Sequence, residues 1–361
     1  MYDCSDDVLG YHGAEVTLPD TERKTMRQRR DTNRQRLRDG LARDEKPAVE
    51  EFAAQGSYAM RTMLRHPTND YDIDDGAYFS KGLLVGSRGG EMSPREAKEM
   101  VRDAVDHGFF ATKPEVRKNC VRIIYAAGYH VDMPVYRRVI TKDWTGKEEQ
   151  HYELAASAGW KRSDARNVTK WFDDERRKSG DAVQVRRIVR LVKKFARSRE
   201  SWGSQILSGF GITKLVTEKY QCHSERHDKA LYYTMQSIRD RLNASERVDH
   251  PTTPNETITS HPEGSYWNDP KSAFLRDKLT DALTKMERLF APDCTRKEAL
   301  QCWDKVFGTA YFIGRYQETS ETKPSSSTGL SSPSVLSSTL LIGQGTAASG
   351  AVRKEGGERH A

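Results

Sequence analysis

Residues 71–79 read Tyr-Asp-Ile-Asp-Asp-Gly-Ala-Tyr-Phe, and the fold turns on how this stretch is read. Tyr71, Ile73, Tyr78 and Phe79 favour extended backbone, so a strand is expected around the three carboxylates. Side chains two apart on a strand share a face. Asp72 and Asp74 therefore aim at one point, and Asp75 aims away from it. Asp-Asp-Gly is also good turn chemistry, and alone the cluster would be an acidic turn. The segments on either side argue for more.

Upstream, Gln55-Gly56-Ser57 sets a glycine, which allows close backbone approach, before a hydroxyl and a helix expected to begin through Tyr58, Ala59, Met60, Arg61 and Thr62. Backbone N–H groups at a helix start suit phosphate oxygens. Gln55, Gly56, Ser57, Arg61 and Thr62 are thus candidate nucleotide-binding residues forming a triphosphate cradle. Downstream, residues 119–126 and 129–140 predict an antiparallel strand pair that turns at Gly128. The second strand, His130-Val131-Asp132-Met133-Pro134-Val135, carries one aspartate in apolar company. A carboxylate buried there without a partner is costly, so a cation is expected beside Asp132.

Phosphoryl transfer to a hydroxyl needs attacking oxygen, phosphorus and leaving group held in line, with metal ions neutralising charge at both ends. Magnesium prefers hard oxygen ligands and keeps water and substrate oxygens in its shell, so two or three protein carboxylates suffice. Asp72, Asp74 and Asp132 are the candidate catalytic residues, and the same three are the candidate ligands of two Mg²⁺ ions.

The remainder of the chain frames this centre. A net charge of +7 over 361 residues favours polyanionic partners. Charge alone does not choose between nucleotides and nucleic acid. The five cysteines are scattered and odd in number, which reads as free thiols in a reducing compartment. No stretch approaches the roughly 20 apolar residues of a membrane span, and the start lacks a secretion signal, so no membrane partner and a cytoplasmic location are expected.

Residues 19–44 predict a long basic helix with Asp20 as its N-cap and Met26, Asn33, Leu37 and Leu41 on one stripe. It could grip nucleic acid through phosphates, but a solvated helix bracing two lobes is the expectation. Ser93, Pro94 and Glu96 supply an N-cap, a first-turn proline and a capping box for a helix with Ala97, Met100, Val101, Ala104 and Val105 inward, ended by Gly108. From Asp164 the pattern is helical, with Val185, Ile188, Val189, Val192, Phe195 and Ala196 as a buried stripe. Further helices are expected at 205–220, 227–243, 271–290 and 295–307, the last with a capping box of Thr295 and Glu298. Residues 244–270 read as a long polar loop in which Tyr266 or Trp267 could stack on a base. Cys222, His223 and His227 have spacing that could ligate zinc, although no second pair sits nearby.

The runs QGSYAMRT (55–62), YDIDDGAYF (71–79) and YHVDMPVY (129–136) together resemble the bacterial cGAS/DncV-like nucleotidyltransferases of cyclic-oligonucleotide antiphage defence. The resemblance implies an α+β, two-lobed nucleotidyltransferase (polymerase-β-like) fold, with a mixed-sheet lobe, a helical lobe and the site between them. It implies that Ser57 binds donor phosphates while Asp72, Asp74 and Asp132 hold Mg²⁺. Lys193 resembles the spine-helix lysine that such enzymes aim at phosphates, with Lys194 as the alternative. Ser208 resembles their small-residue helix start, with Ser204 as the fallback. The implied activity joins NTPs, ATP and GTP among them, into a cyclic di- or trinucleotide such as cyclic GMP-AMP, with release of pyrophosphate. A linear oligoadenylate or tail-adding enzyme, an antibiotic-modifying nucleotidyltransferase and a catalytically silent nucleic-acid sensor are the competing readings.

The expected organisation is a nucleotidyltransferase core with its N-terminal spine helix over 1–160, a helical lobe over 161–316 and a disordered tail over 317–361. That tail contains no Phe, Tyr or Trp and cannot form a core. A conjugating or regulatory protein could act on it.

Overall fold

The computed structural model describes residues 1–66, 71–106, 108, 110–126, 128–253, 255–259 and 269–321, with side chains to Tyr316. Helix α1 (Ser5–Tyr11) runs into a single π turn, His12–Val16. Helix α2 (Asp20–Arg43) follows, and it buries Met26, Asn33, Leu37 and Leu41 as their spacing requires. Its N-cap is Pro19, so Asp20 is the first helical residue and makes no capping bond. Proline presets the backbone there.

Strand β1 (Glu51–Gln55), the one-turn helix α3 (Gly56–Ala59) and strand β2 (Tyr71–Ser80) come next. Helix α4 (Pro94–Val105) has the full capping box, with the Ser93 hydroxyl accepting from the Glu96 N–H and the Glu96 carboxylate accepting from the Ser93 N–H. The sheet is completed by β3 (Glu115–Val116), β4 (Val121–Ile124), β5 (Tyr129–Met133), β6 (Val135–Lys142), β7 (Glu148–Ala156) and β8 (Gly159–Arg162).

Hydrogen bonding follows the path β3-β4-β5-β2-β6-β7-β8, with β1 antiparallel on β2. The expected hairpin is present as β4 and β5, antiparallel with Ile124 opposite His130. Its second strand is interrupted at Pro134, which has no N–H to give a ladder. The register continues across the break: Tyr71–Asp74 pair in parallel with Tyr129–Asp132, and Ala77–Ser80 with Val135–Arg138. The sheet is therefore mixed.

The core of this lobe lies between the sheet and the pair α2 and α4, where Met26, Leu37, Ile73, Phe79, Val101, Val131 and Val135 are buried together. Gly40 is required where the two helices cross, because a Cβ there would lie 1.8 Å from the Ala104 carbonyl oxygen. The apolar side chains of α2 belong to the sheet-lobe core alone, so α2 backs the sheet instead of bracing both lobes through its apolar stripe.

The helical lobe holds α5 (Ala165–Lys178), α6 (Ala182–Ala196), α7 (Gly209–Lys219), α8 (His227–Ala244), α9 (Pro270–Lys285), α10 (Arg296–Phe307) and α11 (Tyr311–Glu321). Asp164 caps α5 and Thr295 caps α10 with its box, as expected. The six-residue stripe of α6 is buried in full. Cys4, Val8, Tyr11 and Val16 join this second core, as do Met60 and Leu64. The first 16 residues thus pack with the helical lobe, although chain order would put them with the sheet. Helix α11 extends past Gln317, into the stretch expected to lack structure. Residues 322–361, and with them the conjugation expectation, lie outside the described residues, as do Tyr266 and Trp267. Among the described residues no helix is long and apolar enough to cross a membrane.

Candidate nucleotidyl-transfer site

Strand β2 sorts its charges by alternation. Ile73 and Asp75 face inward and are fully buried, whereas Asp72 and Asp74 are half-buried on the opposite face. Asp75 is held there by Arg34 of α2 through two guanidinium bonds, one of 2.7 Å. This pairing keeps the Arg34 guanidinium above its ordinary value. Asp74 is the register partner of Asp132 on the neighbouring parallel strand, and Asp72 that of His130. Register partners in a parallel pair project to the same side, so the three aspartates share one face.

The cation expected near Asp132 is Arg122 of β4, its cross-strand partner. It donates to both carboxylate oxygens at 2.8 and 2.7 Å, and the second of these nitrogens lies 3.8 Å from an Asp72 oxygen. Asp72 and Asp132 oxygens are therefore separated by no more than the sum of the two Nη2 distances, within about 8 Å, the reach of a shared pair of ions. The Arg122 guanidinium is raised, chiefly by its hydrogen bonds to Asp132. As they stand, no three His, Cys, Asp or Glu side chains among the described residues are gathered to hold a metal. Asp132 is turned to Arg122 instead. The donor set suits a hard cation, and full ligation by all three aspartates requires Arg122 to yield Asp132.

The Gly-Ser element sits directly on the acidic cluster. Gly56 has φ +60°, and a Cβ there would lie 2.3 Å from Asp74 Oδ2. Only glycine permits this approach. The helix expected through Thr62 ends at Ala59, and Arg61 adopts a left-handed φ of 56°. That bend lets the Thr62 N–H reach the Ser57 carbonyl at 2.8 Å.

Gln55 is fully buried, donating to the Tyr78 hydroxyl at 3.0 Å and accepting from the Tyr136 hydroxyl at 3.2 Å. Those two rings stack with centroids 4.6 Å apart. The Gln55 amide is thus a strut that fixes Gly56, and its side chain does not reach toward a ligand. Burial pushes both phenols above their ordinary range, so they remain protonated donors.

Lys193 of α6 is buried, with Nζ 3.3 Å from the Thr62 carbonyl and 3.4 Å from its hydroxyl. Its Cε would be 3.0 Å from a Cβ at Gly209. Ser208 caps α7, its hydroxyl accepting from the Gly211 N–H at 3.1 Å. Ser57, Thr62, Lys193, Gly209 and Ser208 therefore form one continuous line of neighbours, and Lys194, lowered by burial, lies toward Glu15 and Arg65 instead. Arg61 is exposed.

The Cys222, His223 and His227 group is otherwise engaged. His227 Nδ1 is 3.2 Å from the Gln184 amide and Nε2 is 3.1 Å from Arg187, while His223 packs on the Tyr233 ring. Arg122, Arg34 and His130 were not anticipated from sequence. A basic residue opposite Asp132 in the hairpin register would have found the first.

A mixed sheet with paired aspartates on one strand, a third on its parallel neighbour and a glycine pressed against them defines a nucleotidyltransferase fold. Residues 50–136 match the family described as cyclic GMP-AMP synthase DncV-like, nucleotidyltransferase domain. The whole fold is similar to solved relatives. Vibrio cholerae di-nucleotide cyclase DncV, a mutant in complex with ATP, GTP and 5MTHFGLU2, is 18% identical with a TM-score of 0.62 over 82% of this chain and 92% of that one. Escherichia coli DncV in its 3′-deoxy GTP bound form is 18% identical with a TM-score of 0.60 over 83% and 94%. E. coli MS115-1 CdnC with ATP is 16% identical with a TM-score of 0.59 over 85% and 98%. At these identities the likeness is one of fold.

Proposed function

We propose that this chain joins nucleoside triphosphates into a cyclic di- or trinucleotide, releasing pyrophosphate at each bond. The observation that carries the reading is the contact of Gly56 with Asp74, itself in register with Asp132. It supports the reading because a glycine turn of the kind that suits phosphate lies against a carboxylate in register with another. Vibrio cholerae DncV is described as a cyclic AMP-GMP synthase and was solved with the linear intermediate 5′ pppA(3′,5′)pG; ATP and GTP are the substrates proposed here on that likeness.

In this reading Asp72, Asp74 and Asp132 hold Mg²⁺, two ions per site, which when bound lowers the pKa of the acceptor hydroxyl and offsets charge on the departing pyrophosphate. Ser57 and the N–H groups of α3 orient the donor phosphates. Lys193, fixed by Thr62, supplies positive charge beside them, and Ser208 with the start of α7 closes that edge. Arg122 holds the Asp132 carboxylate in place on the sheet until the substrates arrive. After the first bond forms, the linear product must turn so that its own triphosphate meets the remaining hydroxyl. The role in antiphage signalling follows from the same family likeness.

The test is incubation of the full chain with all four NTPs and Mg²⁺, followed by phosphatase treatment and mass spectrometry. Phosphatase-resistant products of cyclic mass are expected, and none from Asp72→Ala with Asp74→Ala. Phosphatase-sensitive chains would assign a linear-product enzyme. Absence of pyrophosphate release with either Mg²⁺ or Mn²⁺ would leave a binding protein.

A further inference from the structure

Many arginines of this molecule are matched to a carboxylate, as Arg34 is to Asp75, Arg122 to Asp132 and Arg137 to Glu153. One face of α6 departs from that pattern. Arg186, Arg187, Arg190 and Lys194 follow one another along it, and Arg61 and Arg65 approach from the segment after α3. Among the described residues none of these six makes an ion pair.

The hydrogen-bond inventory of the face is incomplete in the same sense. Arg190 Nη1 donates to the Thr17 hydroxyl at 3.3 Å, and Arg187 Nη1 donates to His227 Nε2 at 3.1 Å. The Nε atoms of Arg186 and Arg190 are buried with no partner. His12, only 6% exposed, stands on the other side of Thr17, its Nδ1 3.4 Å from the same hydroxyl, and its Nε2 is also buried and unpartnered. The nearest carboxylates do not balance this charge, since Asp173 is bonded to Arg176 and Glu15 is exposed.

Buried guanidiniums without an anion are costly, and orphaned donors add to the cost. The mutual repulsion is visible in the groups themselves. Burial and the neighbouring arginines lower Arg190 to about 10, and burial with Arg190 and Arg187 lowers His12 to about 3.

We propose that this face of α6, with the π turn and the residues after α3, binds an oligophosphate, a chain of two or three phosphate groups, at a site separate from the aspartates. Planar guanidiniums on one helix face match phosphate oxygens with paired donors. The separation follows from direction: Lys193 turns to Thr62 and Gly209, whereas Arg190 turns to Thr17 and Arg187 to His227. Arg186, Arg187, Arg190 and Lys194 are half-buried, so a thin phosphate chain suits them better than a rigid nucleic-acid duplex does. Inorganic pyrophosphate, tripolyphosphate and the tail of a nucleoside triphosphate share this chemistry.

Isothermal titration of the full chain with inorganic tripolyphosphate in EDTA tests the site without any metal. Saturable binding is expected, weakened at least about tenfold by Arg186→Gln with Arg190→Gln and changed less than about twofold by Ser57→Ala with Lys193→Met. The reverse pattern would place the ligand at the transfer site and overturn the proposal. Parallel titrations with pyrophosphate and ATP rank the sources, and tighter binding of a short duplex than of tripolyphosphate also overturns it. A melting experiment guards against misfolded variants: Arg190→Met should raise the ligand-free Tm and abolish the rise caused by tripolyphosphate. A lowered Tm with that rise retained assigns Arg190 to packing. Pyrophosphate release by the unmodified chain is scored separately, so failure here leaves the transfer reading standing.

Discussion

The two sides of the cleft handle charge in opposite ways. On the sheet side Asp75 and Asp132 each meet an arginine, Arg34 of α2 behind the strand and Arg122 at the register position across the hairpin. On the α6 side the cations outnumber their partners and two guanidinium Nε atoms are orphaned. A folded chain gains from matched pairs only when their geometry is good, and it loses when a buried charge stands alone. The Arg34 and Arg122 pairs are thus closed without a ligand, and the α6 cations are not.

That contrast can be broken most severely at Asp75. Asp75→Ala leaves Arg34 facing a void in the core, and we expect a loss of about 3–5 kcal/mol in urea unfolding. A loss under about 1 kcal/mol would mean that water already screens the pair.

Next in size is Gly56→Ala, whose Cβ must displace the Asp74 carboxylate. The fold should survive while pyrophosphate release falls about 100-fold, roughly 2.7 kcal/mol of transition-state stabilisation. Equal activity would show that Asp74 is not held at this contact.

Arg122→Met frees Asp132 for a cation. Mn²⁺ affinity, read by titration without nucleotide, should rise about tenfold, or ~1.4 kcal/mol. Weaker binding would make Arg122 an organiser of the carboxylates and not their competitor.

The smallest effect carries the opposite sign. Arg190→Met should stabilise the ligand-free chain by up to ~1 kcal/mol, since it removes charge that has no partner. Destabilisation there would erase the difference between the two sides.

Much of this was legible in the residues because the signals are local. Alternation along YDIDD separated Asp75 from Asp72 and Asp74, and Ser93 with Glu96 and Thr295 with Glu298 marked two helix starts through bonds three residues long. The six-residue stripe of α6 and the four of α2 followed from a 3.6 period. Less was legible where a local preference met a tertiary demand. The helix beginning at Gly56 stops after one turn because Thr62 is drawn back to Ser57 and Lys193. Gln55 looked like part of the phosphate cradle, yet two tyrosines far along the chain enclose its amide. Helix α1 gave too short a pattern to separate from the polar start, and its apolar residues find their core only against α8, α10 and α11.

By itself, then, the sequence determined the capped and periodic helices, the faces they bury and that three aspartates lie on strands, since each of these depends on spacing within a few residues. The tertiary structure alone decided that Arg34, 41 residues from Asp75 in the chain, would anchor β2, that Arg122 would clasp Asp132, and that the α6 cations would go unmatched. Charge pairing is a matter of distance in space. No pattern along the chain reports which of 59 basic residues will find a carboxylate.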